Sequence, residues 1–442
     1  MIKRLLIANR GEIAVRIIRS CREMGIETVA VYSTADRDSL HVKMADRAVC
    51  IGPPPSSQSY LAGNNLISAA INTDCEALHP GVGFLSENAD FAKLVTDKGL
   101  KFIGPDSSTI QLLGDKVIAR KTAEQYGLPV TPGTKEAVSS AEEALEACKK
   151  IGYPAIIKAA AGGGGKGMRT VRSPGELKEN FLIAGQEAES NFADGRVFIE
   201  RFIENPRHVE LQILADGSGN VSILGERDCS VQKNHQKLIE ESPSPGVSGS
   251  MRKKMIQGAI TLFRELKYRG AGTIEFLVEN NNFYFMEVNA RVQVEHPVSE
   301  FVTNTDIIRQ QILAACEGKM EIPGGSLPVS GWSIECRINA LAPGKILDLE
   351  IPGGPGVRFD SFLYRGCTIP PYYDSMIAKL IVYGKDRLHA IARMKRALHE
   401  LIIEGIATNI EQQKCIINDG VFRAGNFGTG YYESYRGTNY AN

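Results

Sequence analysis

Between Phe285 and Pro297 the chain reads FMEVNARVQVEHP, and its polar and apolar residues alternate with a period of two. In an extended chain this places Glu287, Asn289, Arg291, Gln293 and Glu295 on one face, and Val288, Ala290, Val292 and Val294 on the other. A solvated strand face ordinarily carries bland residues such as Thr or Ser, whereas this one carries two carboxylates, a guanidinium and two amides. The preceding GTIEFLVENNNFYFMEV reads as two strands joined at Asn280, Asn281 and Asn282. With Asn281 at the centre, Glu275 faces Glu287, and carboxylates ~5 Å apart repel by roughly 3 kcal/mol at an effective dielectric of ~20. A divalent cation relieves that repulsion, and Glu275, Glu287 and Asn289 form an all-oxygen set suited to Mg²⁺ or Mn²⁺.

A second stretch, AGGGGKGMRTV from Ala161 to Val171, supplies glycines and a lysine. Gly162, Gly164 and Gly167 satisfy GxGxxG, but MRTVRS reads as a strand where the dinucleotide fingerprint needs a helix, and a Walker register would put its lysine at Met168. What remains is a glycine-rich loop between antiparallel strands, able to close backbone N–H groups over a polyphosphate. Lys158 and Lys166 add compact positive charge. Together with the carboxylate hairpin, this points to ATP held between two β layers, with phosphoryl transfer driven by positioning and charge neutralisation. The acceptor is then a small planar oxyanion, gripped by Arg291, with Glu295 as its base.

The elements that must carry these residues are legible in outline. KRLLIA, NRGE, EIAVRIIRSCREMG and IETVAVYS read as strand, loop, helix and strand, opening a doubly wound α/β unit. Its first loop holds only Gly11, so the unit is Rossmann-like without the NAD fingerprint. HPGVGFLSEN, His79 to Asn88, lies at the carboxyl end of a strand, where such sheets contact ligands. GLPVTPG marks a boundary near residue 130. RVFIERFI reads as a core strand, HVELQ to NHQK as a meander turning at Asp216 to Asn220, and PPYYDSMIAKLIVYG as a strand pair. The tail from about Gly425, rich in Gly, Asn and Tyr, reads as loosely ordered.

The 442 residues suffice for about three domains, and 43% hydrophobic content suits packed cores. Lys plus Arg and Asp plus Glu both number 51, so no charge excess points to nucleic acid or an anionic membrane. Nine scattered cysteines without a CxxC spacing argue for a reducing, cytoplasmic setting. No apolar run approaches the ~20 residues that span a bilayer.

The segments IANRGEIAVRIIR, HPGVGFLSEN, GGGGKGM, ENPRHVELQ, ERDCSVQKNHQK, FMEVNARVQVEHPV, ECRINA and PPYYDSM, in this order and nearly end to end, resemble the biotin carboxylases, the ATP-grasp component of acetyl-CoA carboxylase and its relatives. The resemblance implies an α/β (α+β) ATP-grasp fold. It comprises a Rossmann-like domain over 1–115, an ATP-grasp region over 116–320 with a glycine-rich lid at about 131–203, and a mixed-sheet domain over 321–442. It implies that ATP and bicarbonate give carboxyphosphate and ADP, and that the carboxyl group passes to N1′ of biotin on a carrier protein.

By the same resemblance Lys116, Lys158, Gly163, Gly164 and Gly165 bind the ATP phosphates, and Met168, Glu200, Arg201 and Ile203 surround the adenine. His208 and Gln232 approach the ribose and His235 the reacting phosphates, while Glu275, Glu287 and Asn289 hold the metal, two ions of Mg²⁺ or Mn²⁺. Lys237, Arg291, Gln293 and Val294 hold bicarbonate, Glu295 is the base, and Arg337 steadies the biotin oxygen. The implied partners are a biotin carboxyl carrier protein, carboxyltransferase subunits and a second copy of the chain, to which the helix bearing Arg16, Arg19 and Glu23 contributes. Acetyl-CoA carboxylase, and with it fatty acid biosynthesis, is the first assignment for the whole reaction.

Departures from the family pattern leave the carboxylate and bicarbonate residues intact. Val82 stands where the family has Tyr, Lys233 and Asn234 where it has paired arginines, Ala290 where Thr is common, and LAPGKI replaces a longer loop after ECRINA. They keep two alternatives in view: a non-catalytic ATP-binding paralogue, and a carboxylate–amine ligase of the same fold.

Overall fold

The structure, a computed structural model, describes residues 2–160 and 168–439. Strands β1 (Arg4–Ile7), β2 (Glu27–Ser33), β3 (Arg47–Gly52), β4 (Ala77–His79) and β5 (Lys101–Phe102) form a parallel sheet in the order β3-β2-β1-β4-β5, which bears out the Rossmann-like reading. The reversal of strand order puts the loops after β1 and β4 side by side. Asn9 donates from Nδ2 to the carbonyls of Pro80 and Val82 at 2.7 and 2.8 Å, pinning HPGVGFLSEN from beneath. Gly81 is needed there: it has φ +66°, and a Cβ would lie 2.8 Å from Asn9 Nδ2.

Strands β6 (Ala155–Ala159), β7 (Met168–Val171) and β8 (Val197–Arg201) make a separate antiparallel sheet, ordered β7-β6-β8. The two strands expected to flank the glycine run are therefore antiparallel; the run itself, with Gly163, Gly164, Gly165 and Lys166, lies outside the described residues.

The site stands on a third sheet of nine strands. It takes in β9 (Arg207–Asp216), β10 (Val221–Lys233), β11 (Gln236–Ser242), β12 (Arg269–Glu279), β13 (Asn282–Asn289), β14 (Gly325–Ser326) and β15 (Trp332–Asn339). After the short β16 (Gly344–Lys345) and β17 (Asp348–Glu350), which belong to separate two-stranded sheets, come β18 (Val357–Ser361), the short β19 (Thr368–Ile369) and β20 (Met376–Gly384). The order β13-β12-β9-β10-β11-β15-β20-β18 makes one surface from segments far apart in sequence. Alternate residues of β9, such as Val209, Leu211 and Ile213, are buried in the largest apolar core, leaving His208, Glu210 and Gln212 for the opposite face.

The carboxylate hairpin forms, with a correction that preserves its register. Glu279 pairs with Asn282, so the turn is the two residues Asn280 and Asn281, half a residue earlier than expected, with Asn280 at φ 55°. A bulge at Met286 restores the offset, and Glu275 lies opposite Glu287. The extended chain to Pro297 is not found: β13 ends at Asn289, the chain bends at Arg291, and Val294 and Glu295 turn into a helix, His296–Thr303. Pro297 sits in that helix's first turn, where its missing N–H costs nothing.

Two further expectations change. Pro370 and Pro371 cannot feed a ladder, so PPYYDSMIAKLIVYG yields one strand, β20, entered by a turn. The tail is ordered as a helix, Tyr431–Asn439, because Tyr431 and Tyr432 bury their rings in the C-terminal core beside Phe427. Among the described residues no helix is long and apolar enough to cross a membrane.

Candidate active site

Register builds the site. Glu210 on β9 faces Glu275 on β12, and Glu275 faces Glu287 on β13, while Arg227 on β10 faces Glu210 from the other side. Neighbouring strands are ~4.8 Å apart, so this row of carboxylates holds together only if cations meet it. Lys237 on β11 donates to Glu210 at 2.7 Å, Glu275 at 3.2 Å and Glu295 at 2.6 Å. Arg227, wholly buried, donates to Glu210, and to Ser299 and Thr273 at 3.1 Å each. Lys116 reaches Glu287 at 3.2 Å. Gln232 donates to His208 Nδ1 at 2.7 Å, which leaves the ring proton on Nε2, 2.8 Å from Glu275. The repulsion that sequence alone assigns to a divalent cation is thus met here by the Lys237 and Lys116 ammonium groups, with the imidazole N–H of His208 donating to Glu275.

Glu295 closes the cluster from the turn after β13. Lys237 holds one of its oxygens, and Arg337 on β15 donates to the other at 3.0 Å while also donating to Glu240 on β11 at 2.6 Å. Burial alone would raise the Glu295 carboxyl, but Lys237, Arg337 and Arg227 outweigh it and hold the group well below the usual carboxylate range. Glu275 is likewise lowered: burial opposes its ionisation, and Lys237 and His208 overcome it. Glu240 goes the other way, pushed up to about 7 because burial exceeds the help from Arg337. Lys237 is raised despite its burial by the acidic groups around it, so it remains an ammonium.

Arg291 lies at the bend. It donates from Nε to Glu87 at 2.7 Å, and from its terminal nitrogens to Gln293 Oε1 at 3.0 Å and Asn289 Oδ1 at 3.2 Å. Glu87 also accepts from the Ala290 N–H at 2.8 Å. The loop expected to contact ligands therefore touches Arg291, one of the residues that the resemblance assigns to bicarbonate. The turn itself is held by buried donors, His296 Nδ1 on the Gln293 carbonyl and Lys379 on the Val294 carbonyl, each at 2.7 Å.

Across from this cluster, Lys158 on β6 donates to Glu200 on β8 at 2.5 Å, and Arg120 shares the same carboxylate. Arg201 reaches Glu279 at 3.1 Å and the Tyr284 hydroxyl at 3.2 Å, tying the small sheet to the carboxylate hairpin. Ile203 is buried and Met168 half-buried at the start of β7. His235 is exposed in the turn between β10 and β11 at φ 62°, apart from the buried cluster.

Glu275, Asn289, Arg291, Gln293, Glu295, Lys237, His208, Gln232 and Arg337 thus form one connected hydrogen-bonded set. Sequence reasoning missed Glu210, Glu240, Arg227 and Glu87. For Glu210 the signal was present, since HVELQIL alternates with the same period of two as the stretch after Phe285. The donors Glu275, Glu287 and Asn289 are hard oxygens that suit Mg²⁺, with Asn289 Nδ2 already 2.9 Å from Glu275.

Family comparisons agree along the chain. Residues 1–110 match the family described as biotin carboxylase, N-terminal domain, residues 115–322 the carbamoyl-phosphate synthase L chain, ATP binding domain, and residues 335–434 the biotin carboxylase C-terminal domain. Biotin carboxylase 1 of Bacillus subtilis is 52% identical over 98% of this chain and 99% of its own. The biotin carboxylase of a Nostoc species is 52% identical over 97% and 98%. Among solved structures, a biotin carboxylase from Campylobacter jejuni, described as a complex with β,γ-ATP, superposes with TM-score 0.96 at 45% identity, covering 98% of this chain and 99% of that one. The biotin carboxylase domain of Hydrogenobacter thermophilus 2-oxoglutarate carboxylase, described as a dimer with MgADP, ADP and bicarbonate, gives TM-score 0.95 at 43% identity, covering 98% of each.

Proposed function

The chain belongs to the biotin carboxylase family of ATP-dependent ligases, and from that premise we propose that it carboxylates biotin on a carrier protein, by way of carboxyphosphate, releasing ADP and phosphate. The observation that carries this reading is the position of Glu295, a buried carboxylate held between Lys237 and Arg337. With both cations on it, Glu295 is a weak base. Bicarbonate entering beside Lys237 and Arg291 takes over part of that positive charge, so the Glu295 carboxylate gains basicity as its substrate arrives. It then removes the bicarbonate proton, Lys237 and Arg291 neutralise the dianion, and the freed oxygen attacks the terminal phosphorus of ATP as ADP departs. Val294 contributes its backbone N–H to the oxyanion, and Gln293 orients Arg291.

Lys116 and Lys158, with the glycine run, would hold the ATP phosphates, and Glu200, Arg201, Ile203 and Met168 the adenine. Glu275, Glu287 and Asn289 would hold Mg²⁺, which on binding supplies charge neutralisation at the phosphates. The sheet β7-β6-β8, within a lid of about 131–203, covers the nucleotide. Arg337, released from Glu295, steadies the biotin oxygen. A separate carrier and carboxyltransferase complete the reaction, with acetyl-CoA as the first acceptor to test, in the cytoplasm. A homodimer is part of the reading: on the helix Gly11–Glu23, Arg19 and Glu23 are exposed, while Arg16 is buried against Glu300 at 2.7 Å and Asp306 at 2.8 Å.

ADP release measured with free biotin tests the reading. Turnover should require bicarbonate and rise with biotin; equal turnover without biotin would move the chain to a carboxylate–amine ligase, and nucleotide binding without turnover to a non-catalytic paralogue.

A further inference from the structure

Lys379, at the middle of β20, is completely buried, and nothing in the reaction above gives it a task. Its ammonium donates to the Val294 carbonyl at 2.7 Å and pairs with Glu12, from the helix Gly11–Glu23, at 3.2 Å. One side chain therefore ties the N-terminal unit and the central sheet to the turn that presents Glu295. Burying an ammonium is costly, and an apolar residue of similar volume fills space at least as well, so a purely packing role does not account for it. Burial lowers the Lys379 ammonium, but Glu12, Glu335 and Asp360 more than compensate, so it stays charged.

What it holds is specific. The Val294 carbonyl and the Glu295 N–H belong to one planar peptide, so fixing the oxygen fixes the direction in which Glu295 leaves the backbone. The peptide before it is fixed in the same manner by His296 Nδ1 on the Gln293 carbonyl. Two successive peptides are thus clamped from below by buried donors, and Glu295 is delivered to Lys237 and Arg337 above.

We propose that Lys379 is a positioning residue for bicarbonate capture: by holding the Val294 carbonyl it sets Glu295 against Lys237 and Arg337 without touching substrate. The inference rests on the reading of residues 291–295 as the bicarbonate site.

The full chain, assayed for ADP release against bicarbonate and against ATP with free biotin, tests it. Lys379→Met alone leaves Glu12 as an unpaired buried carboxylate, so the informative variants are Glu12→Gln, the double Glu12→Gln/Lys379→Met, and the double Glu12→Gln/Lys379→Arg. Glu12→Gln should keep the KM for bicarbonate within about twofold of wild type, because the Val294 bond survives. Adding Lys379→Met should raise that KM, or lower kcat/KM for bicarbonate, by about tenfold or more, with the KM for ATP within about twofold and Tm near that of Glu12→Gln. Lys379→Arg, which keeps a donor, should recover much of the loss. Wild-type bicarbonate kinetics in the Met double variant would overturn the proposal, as would a parallel loss of ATP affinity, bicarbonate affinity and Tm. Turnover of the unsubstituted chain that ignores bicarbonate would instead remove the underlying reading, visible before any variant is compared.

Discussion

Lys237 and Lys158 each reach a buried glutamate, and their side chains are equally hidden, at 12% and 13% exposure. Their surroundings differ in connection. Lys237 stands among Glu210, Glu275 and Glu295, which are in turn held by Arg227, His208, Asn289 and Arg337. Lys158 has Glu200, shared with Arg120. The first arrangement is over-determined, since each group is fixed by several others on a nine-stranded sheet; the second, among the described residues, is one ion pair with a spare cation on a three-stranded one. Equal burial therefore does not mean equal rigidity. On the proposed reading, the rigid cluster takes bicarbonate and suits proton transfer at fixed atoms, while the more sparsely tied one takes the nucleotide and suits a ligand that must enter and leave.

Glu295→Gln cuts deepest into that contrast. It keeps shape and removes the proposed base, so bicarbonate-dependent ADP release should fall by about 10²–10⁴-fold, while the KM for ATP stays within a few-fold, as initial rates against each substrate will report. Retained turnover would mean that the rigid side is not where the proton is taken.

Lys237→Met and Lys158→Met then compare the two sides directly. Losing Lys237 leaves three carboxylates short of a cation, and removing one partner of a buried ionic network costs about 3–5 kcal/mol, so denaturant unfolding should show a large loss of stability together with loss of activity. Losing Lys158 leaves Arg120 on Glu200. Stability should change by under about 1 kcal/mol, and the KM for ATP should rise about 10–100-fold, the worth of a hydrogen bond to a charged group. Equal destabilisation by both substitutions would erase the distinction.

How much of this was legible follows the same divide. The alternation in FMEVNARVQVEHP exposed Glu287, Asn289 and Glu295, and the Asn turn before it brought Glu275 opposite Glu287, because a strand's period of two and a tight turn are local information, carried within a few residues. The cations that neutralise them were not legible as neutralisers, because Arg227 and Lys237 meet Glu210 only through the register of three strands. Arg337 and Glu240 needed the pairing of β11 with β15, across almost a hundred residues of chain. The fold was easier to read than the site where the signals were local, as in the first βαβ unit. It failed at Arg291 to Glu295, where alternation continues in the sequence while the backbone turns. There the side chains that bend the chain, His296 and Lys379, act on carbonyls, which sequence does not display.

The finest distinction lies within the rigid side, between two carboxylates on one guanidinium. Arg337 donates to both Glu295 and Glu240, yet Glu295 is held well below the usual range while Glu240 is pushed up to about 7. Glu295 has hydrogen bonds from Lys237 and the nearby Arg227 charge in addition; Glu240 is pushed up first by burial and then by the Glu295 charge, and Glu335, a buried carboxyl itself raised by burial, lies opposite it on β15 without a hydrogen-bond partner among the described residues. Between the ordinary carboxylate value of about 4.3 and about 7, the folded chain therefore holds a proton at Glu240 that the unfolded chain has lost, so stability falls as pH rises through that window and levels off above it. Glu240→Gln keeps an acceptor for Arg337 and removes the titration. Its unfolding free energy relative to wild type should gain by up to about 2 kcal/mol between about pH 5 and about pH 7 and stay constant at higher pH, as paired denaturant titrations will measure. A difference that does not vary with pH, or that shrinks as pH rises, would mean that Arg337 ionises its two partners alike and that the rigid side carries no stored proton.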